Sequence, residues 1–173
     1  YRSQLQQLLD SGQAYQAWET PEELEEMRQR AVAAQENFRY RRHHYSPSEQ
    51  ERFRQEGRSP VMRLAVAEEE IRFDDLIVGE TRVPAGDLDD YVIWKADGFP
   101  TYHFAVVVDD LTMGINTVIR GDDHLNNTPR QQNKLAALGA EPPANAHHPM
   151  NLGPDGTKLS KRHGAEEIRE YHE

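Results

Sequence analysis

The chain has 173 residues, with 30 acidic against 20 basic side chains, so its formal net charge at pH 7 is −10. Its length fits one ordinary domain or two small ones, and Leu, Ile, Val and Phe make up about 20% of it, near the lower limit for a packed core. The absence of cysteine excludes disulfides, thiol chemistry and Cys-based zinc sites, and no apolar run approaches the ~20 residues of a membrane-spanning helix, so we expect a soluble cytoplasmic protein with no membrane partner.

The first 60 residues are polar and predict helices separated by turns. Leucines at positions 5, 8 and 9 predict an amphipathic helix that ends at Ser11 and Gly12. Thr20 followed by Pro and two acids is typical of a helix start, and we expect that helix to reach about residue 34. Ser46 followed by Pro predicts a third, short helix by the same capping logic.

A basic and aromatic cluster occupies residues 39–45 of this otherwise acidic chain. Arg39, Arg41 and Arg42 alternate there with tyrosines and histidines. Arginine contacts with phosphates and stacking on aromatic rings are typical of RNA binding. The alternative is a solvated loop, and composition alone does not choose between the two.

From Pro60 onward the periodicity changes and predicts strands at 61–66, 71–73, 76–78, 91–95 and 117–119. Gly79 is expected in a turn. The apolar run 104–108 fits a buried strand or a helix equally well. A helix is predicted over 127–138, ended by Gly139, and another near 166–171. Strand–helix–strand order indicates a parallel α/β layer.

Residues 151–164 form a Gly- and Pro-rich segment that carries Lys158, Ser160, Lys161 and Arg162. Lysine ammonium groups and backbone N–H groups suit the oxygens of a polyphosphate, so the segment could grip one and release it after reaction. The alternative is a solvated surface turn, which is the more common fate of an anonymous run of charges.

A second polar group, Arg-Gly-Asp-Asp-His at 120–124, follows a predicted strand and precedes a predicted helix. Ligands of open α/β sheets lie beyond the carboxyl ends of strands, where Arg120 could take a carboxylate. The alternative is a capped loop with a surface ion pair. The Asp and His residues of this half fit no standard metal spacing, so we expect no dedicated metal site.

Four segments together resemble the glutamyl-tRNA synthetases, a family of class I aminoacyl-tRNA synthetases. Residues 97–110 are similar to the segment that lines the family's amino-acid pocket, and residues 118–131 are similarly close. Lys-Leu-Ser-Lys-Arg at 158–162 stands where the family has its mobile ATP loop, called KMSKS. Thr-Pro-Glu-Glu-Leu at 20–24 matches the insertion that binds the tRNA acceptor stem.

The resemblance implies activation of glutamate by ATP, with Mg²⁺ carried by the ATP, and transfer to tRNA(Glu). It places Arg120 and Tyr102 against the glutamate side chain and Arg39, Arg41 and Arg42 on the acceptor stem. The catalytic residues it implies are Lys158, Ser160 and Lys161. The residues it implies for ATP binding are Lys158, Leu159, Ser160, Lys161, Arg162, Asp123 and His147.

The implied fold class is α/β, with residues 1–88 as the acceptor-stem-binding insertion, helical and then β. Residues 89–173 are then the second half of a Rossmann-type catalytic domain, ending in the KMSKS-like loop and a helix. The family's HIGH motif and anticodon-binding domain have no counterpart here, so we expect a middle fragment that is inactive alone. Ala17 and Glu19 stand where some members have zinc-binding cysteines, so we expect no zinc; we also expect a monomer.

Two alternatives remain open. One is the paralogue that glutamylates a modified base of tRNA(Asp) and lacks an anticodon domain, although residues 122–131 are more similar to the main family. The other is a tRNA acceptor-binding module without catalysis, against which Arg120 and the loop 158–162 argue. The choice between discriminating and non-discriminating tRNA specificity is not readable from these residues.

Overall fold

The structure is a computed structural model that describes residues 1–67, 69–84, 86–150 and 152. Two helices follow the first strand and four consecutive strands follow them, after which helices and strands alternate to residue 148; a 3₁₀ helix, Asp122–Asn127, immediately precedes the helix Thr128–Ala137. In chain order the elements are α1 (Arg2–Asp10), β1 (Ala14–Ala17), α2 (Pro21–Ala33), α3 (Pro47–Gln55), β2 (Val61–Leu64), β3 (Ile71–Asp75), β4 (Gly79–Val83), β5 (Val92–Trp94), α4 (Tyr102–Met113), β6 (Thr117–Gly121), α5 (Thr128–Ala137) and β7 (Ala144–His148).

The predicted helix starts of α2 and α3 are confirmed, and both are closed by reciprocal capping. The Thr20 hydroxyl accepts the backbone N–H of Glu23, whose carboxylate accepts the backbone N–H of Thr20. Ser46 and Glu49 repeat the arrangement at α3. Each box satisfies backbone donors that the first helical turn leaves free.

A three-stranded antiparallel sheet of order β1-β2-β5 packs against α1, α4 and α5 around the main apolar core. Phe104, Val107 and Val108 are buried on α4, which ends at Gly114 in the left-handed conformation. The spacing of these residues places them on one helical face. The apolar run at 104–108 is therefore helical, which decides between the two predicted alternatives.

The second sheet has the order β4-β3-β7-β6, and β7 runs parallel to both of its neighbours. The predicted parallel layer is thus confirmed, with α5 between β6 and β7. Each sheet joins strands from both sides of residue 88, and the fold is mixed α/β. The division into an insertion and a catalytic half stays a prediction.

No helix in the described ranges is long and apolar enough to cross a membrane.

The prediction of a strand at residues 76–78 is wrong, as is that of a turn at Gly79. Leu76, Ile77 and Val78 form the turn between β3 and β4 and are 70%, 56% and 49% exposed, while Gly79 begins β4. The turn forms because Asp75 Oδ1 accepts the backbone N–H groups of Ile77 and Val78, each over 3.0 Å. Such side-chain-to-backbone bonds compete with strand pairing.

Candidate functional site

Three parallel strands bring the polar residues of the site to one edge of the second sheet. Arg120 on β6 is the register partner of His147 on β7, and Asp75, the last residue of β3, pairs with Asn145 on the same strand. β6 and β7 therefore end side by side, whereas β3 ends beside Asn145, three residues before the end of β7, so the site lies at the carboxyl edge of β6 and β7. This is the edge at which open α/β sheets place their ligands.

A chain of hydrogen bonds runs across these strand ends. His147 Nδ1 lies 2.6 Å from Asp75 Oδ2, and the backbone N–H of His147 donates to Asp75 Oδ1 over 3.1 Å. Arg120 Nε donates to His147 Nε2 over 2.9 Å. Because arginine can only donate, Nε2 is an acceptor and the imidazole carries its single proton on Nδ1.

Asp75 stays ionised in this setting although its side chain is fully buried. Burial alone would raise the pKa of Asp75, but the N–H of Val78, the His147 ring and the N–H groups of His147 and Ile77 together hold it well below its usual range. Hydrogen bonds to a carboxylate favour its charged form. The site therefore contains a buried anion beside a neutral imidazole.

The guanidinium of Arg120 is half-buried and held from a second side. Its Nη2 donates to Thr128 Oγ1 over 2.7 Å and to Gln131 Oε1 over 2.8 Å. Burial lowers the pKa of Arg120, whereas Tyr102, Asp110 and Asp75 raise it. Arginine nevertheless remains protonated in proteins.

Two nitrogens of Arg120 are thus engaged, and Nη1 has no hydrogen-bond partner in the part of the chain that the structure describes. The two N–H groups of Nη1 remain for a ligand. This differs from the bidentate fork that a free arginine would offer a carboxylate.

Tyr102 and His103, at the start of α4, lie near this guanidinium. The Tyr102 side chain is exposed, and its ring meets that of His103 edge-on at 5.2 Å between centroids. Burial lowers the pKa of His103, and the charges of Lys134, Arg130, Arg120 and His124 lower it further. Four basic side chains therefore act on the start of α4, and positive charge there favours an anionic ligand.

The residues predicted to bind ATP are Asp123, His147 and the loop 158–162. Asp123 lies in the 3₁₀ helix after β6, and a Cβ added at Gly121 would come within 2.6 Å of its Oδ1, so a larger residue at 121 would displace the Asp123 carboxylate. His147 is 1% exposed with both ring nitrogens bonded within the chain, which favours a positioning role over direct contact with ATP. Lys158, Leu159, Ser160, Lys161 and Arg162 lie outside the described residues.

The arginines of the basic cluster lie at the surface but also bond within the chain. Arg39 pairs with Asp87 at 3.1 Å, and Arg41 donates to the carbonyl of Tyr40 over 3.1 Å. The Arg42 guanidinium stacks 4.5 Å from the centre of the Tyr15 ring. Arg42, with neighbouring histidines, lines an open cleft of about 420 Å³.

Glu19 holds this cluster in place. Its carboxylate accepts the hydroxyls of Tyr40 and Tyr45 over 2.6 and 2.5 Å and lies 2.7 Å from Nδ1 of His43. Burial would raise the pKa of Glu19, but the tyrosine hydroxyls, the backbone and His43 lower it below its ordinary value.

In the described ranges, no three His, Cys, Asp or Glu side chains group as metal ligands.

Sequence patterns did not reveal Asp75, Thr128, Gln131, His103 or the role of Glu19. Asp75 is linked to Arg120 only through His147, which lies 72 positions from Asp75 in the chain and meets it because β3 pairs with β7. His103 could have been noticed as the neighbour of Tyr102. Nothing local marks the others as partners of a functional side chain.

The chain matches known proteins along its length. Residues 1–173 match the family model described as tRNA synthetases class I (E and Q), catalytic domain. The glutamate–tRNA ligase of Xanthomonas oryzae pv. oryzae (strain PXO99A) is 49% identical over 179 residues, which cover 99% of this chain and 36% of that protein. That of Bordetella avium (strain 197N) is 47% identical over 173 residues, covering 99% and 37%.

A solved structure is also similar, a glutamate tRNA ligase from Elizabethkingia meningosepticum CCUG26117 in complex with its amino acid. It superposes with a TM-score of 0.81 at 34% identity and covers 95% of this chain and 35% of its own. The chain thus spans about 36% of the length of the relatives that it matches. The match of the family model to residues 1–173 shows that the chain belongs to the class I tRNA synthetases for glutamate and glutamine.

Proposed function

We propose that this chain is part of a glutamate–tRNA ligase, which activates glutamate with ATP and Mg²⁺ and transfers it to tRNA(Glu). The observation that carries the proposal is the half-buried guanidinium of Arg120, held at the carboxyl edge of the parallel strands with Nη1 available. The relatives that carry this name at 47% and 49% identity support it.

Glutamate differs from glutamine by a carboxylate in place of an amide, so a pocket that selects glutamate requires a fixed cation. We place the substrate's side-chain carboxylate on Nη1 of Arg120, with Tyr102 lining the same pocket. The positive charges that surround His103 add to the attraction. A neutral amide would gain far less from the same field.

The ATP phosphates are assigned to the loop 158–162, with Lys158, Ser160 and Lys161 as catalytic residues beside Leu159 and Arg162, and with Asp123 near the adenosine. An oxygen of the α-carboxylate of glutamate attacks the α-phosphorus of ATP and pyrophosphate leaves. The terminal ribose hydroxyl of the tRNA then attacks the α-carboxyl carbon and displaces AMP. No covalent bond to the enzyme forms, so catalysis consists of positioning and charge stabilisation.

Residues 1–88 are proposed as the insertion that contacts the acceptor stem, with Arg39, Arg41 and Arg42 on the phosphates. Residues 89–173 are proposed as the second half of the Rossmann-type catalytic domain. The relatives' name favours this function over the paralogue specific for tRNA(Asp) and over a module without catalysis.

The test uses the full-length protein that carries this chain, incubated with ATP, Mg²⁺, radiolabelled glutamate and either tRNA(Glu) or tRNA(Asp). We expect glutamate to become attached to tRNA(Glu) in an ATP-dependent reaction, with tRNA(Asp) remaining uncharged. Charging of tRNA(Asp) alone would identify the paralogue. No charging of either tRNA would overturn the proposed enzyme.

A further inference from the structure

We propose that Asp75, acting through His147, is a positioning residue that fixes the Arg120 guanidinium for the side-chain carboxylate of the amino-acid substrate. The inference rests on the proposed function, in which Arg120 meets that carboxylate. Its basis is the continuous path from Asp75 Oδ2 to His147 Nδ1, over 2.6 Å, and from His147 Nε2 to Arg120 Nε, over 2.9 Å.

The polarity of these hydrogen bonds makes the relay directional. An ionised carboxylate can only accept, so Asp75 keeps the imidazole proton on Nδ1 of His147. The lone pair of Nε2 is then free to accept from Arg120. The other neutral tautomer, or a protonated ring, would place N–H opposite the N–H of Arg120 and repel it.

Burial makes the relay obligatory for Arg120. The side chains of Asp75 and His147 are both 0% exposed, so water does not reach them to replace a lost bond. Asp75 Oδ1 also accepts from the backbone N–H groups of Ile77, Val78 and His147. Four hydrogen bonds therefore hold the Asp75 carboxylate between β3 and β7. Because one of them is to the His147 ring, the orientation of the imidazole is fixed as well.

Thr128 and Gln131 hold the guanidinium from the side of α5. Both accept from Nη2, and the Thr128 hydroxyl also lies 3.2 Å from His147 Nε2. With Nε held by His147 and Nη2 held by α5, the plane of the guanidinium is fixed. Nη1 is then the nitrogen presented to a ligand.

The imidazole also keeps the two charges apart. A direct ion pair between Asp75 and Arg120 would compete with the substrate carboxylate for the same donors. The neutral His147 ring fixes the orientation of the Arg120 guanidinium, whose positive charge remains available to the substrate carboxylate. In metal sites a carboxylate commonly orients the histidine that binds the metal, and Asp75 is bonded to His147 in the same way.

The test replaces Asp75 in the full-length protein and measures steady-state constants for glutamate and ATP. In Asp75→Asn the amide oxygen still accepts from the backbone, but its NH₂ faces His147 Nδ1 and favours the tautomer that repels Arg120. We expect KM for glutamate to rise by about 10- to 100-fold, in line with losses of outer hydrogen-bond partners elsewhere. KM for ATP should stay unchanged, and the preference for glutamate over glutamine should fall.

His147→Gln supplies the conservative rescue, because its amide oxygen can take the place of Nε2 and accept from Arg120. It should keep KM for glutamate close to that of the wild type, whereas His147→Leu should raise it. Adding Asp75→Asn to His147→Gln should change nothing further, since the relay no longer passes through an imidazole. If Asp75→Asn fails to fold, the comparison of His147→Gln with His147→Leu still tests whether His147 positions Arg120.

Asp90→Asn is the matched control, because Asp90 is 3% exposed against 4% for Asp75 and bonds to Tyr15 and Val66 away from Arg120. It should lower the amount of folded protein without raising KM for glutamate. A wild-type protein that does not activate glutamate would refute the proposed function itself. An active wild type with KM for glutamate unaltered by Asp75→Asn, or equally altered by His147→Gln and His147→Leu, would overturn the relay.

Discussion

The hydroxyl of Tyr40 donates to the carboxylate of Glu19 over 2.6 Å and joins the basic cluster of residues 39–45 to the segment that follows β1. Tyr40 is 1% exposed, so the bond is shielded from water. His43 and Tyr45 converge on the same carboxylate. One buried acid thus determines the course of a loop whose arginines face the surface.

Replacing Glu19 with Ala should loosen that loop. The two tyrosine hydroxyls would lose their acceptor, at about 1–3 kcal/mol for the buried Tyr40 hydroxyl. Trypsin should then cleave after Arg41 and Arg42 faster than in the wild type. Glu26→Ala, which removes an exposed acid paired with Arg30, is the control and should leave the cleavage rate unchanged. Equal rates in wild type and Glu19→Ala would contradict the role of Glu19.

The second prediction concerns tRNA binding by Arg39, Arg41 and Arg42. Phosphate contacts release counterions, so the affinity for the acceptor stem should fall steeply with salt, and replacing all three with Gln should flatten that dependence. Filter binding at several salt concentrations measures the slope. The control is a second triple variant, in which Arg28, Arg30 and Arg82 are replaced with Gln. It loses the same charge at exposed positions elsewhere and should keep the wild-type slope. A slope unaffected by the first triple variant would move the contact surface elsewhere.

The region around Glu19 is also expected to hold its shape without zinc. The prediction rests on the resemblance to the family, which places Ala17 and Glu19 where some members have zinc-binding cysteines, because neither residue can supply a thiolate. Elemental analysis of the purified full-length protein should find less than stoichiometric zinc, and EDTA should leave tRNA binding unchanged. Stoichiometric zinc that EDTA removes together with tRNA binding would refute this prediction.

Lys134 predicts a pH dependence of local stability. Burial and then the charge of Arg130 lower the pKa of Lys134 from 10.5 to about 7. In the unfolded chain the amine holds its proton to higher pH, so its contribution to stability is unfavourable below pH 7 and recovers as the pH rises toward 10. A cation–π contact between the Lys134 ammonium and the Tyr91 ring, 4.0 Å away, offsets part of this unfavourable contribution.

Lys134→Met should therefore stabilise α5 at pH 6 by an amount on the order of a few kcal/mol, with the gain shrinking as the pH rises toward 10. Hydrogen exchange of the α5 amides, corrected for intrinsic rates, measures this locally in the full-length protein. Lys95→Met, which removes an exposed lysine paired with Asp97, should show no such trend. A gain that is constant with pH would contradict the lowered pKa.

Local sequence signals predicted the helices well and the central strand of the second sheet poorly. Thr20 and Ser46 mark helix starts by capping chemistry that depends on three or four neighbouring residues. β7 carries three polar residues, Asn145, His147 and His148, which do not suggest a buried strand, yet it lies between β3 and β6 in the sheet. The apolar residues 76–78 look like a strand, yet a side-chain bond from Asp75 turns the chain there.

The site shows the same limit. Arg120 could be singled out from its place after a strand, because that relationship is local. The partners that orient it are set by strand pairing between distant segments, and Asp75 and His147 meet across 72 residues. A carboxylate with no motif around it therefore gives no sequence signal of its role.

The most direct measurement is the glutamate-dependent exchange of pyrophosphate into ATP by the full-length Arg120→Ala variant, with tRNA(Glu) present. The variant loses the half-buried cation that we propose holds the substrate carboxylate, so kcat/KM for glutamate should fall by the equivalent of about 2–5 kcal/mol. KM for ATP should stay near that of the wild type, and Arg82→Ala, an exposed hairpin arginine paired with Glu80, should behave as the wild type. Near-normal activity with glutamate would remove Arg120 from the pocket and contradict the account.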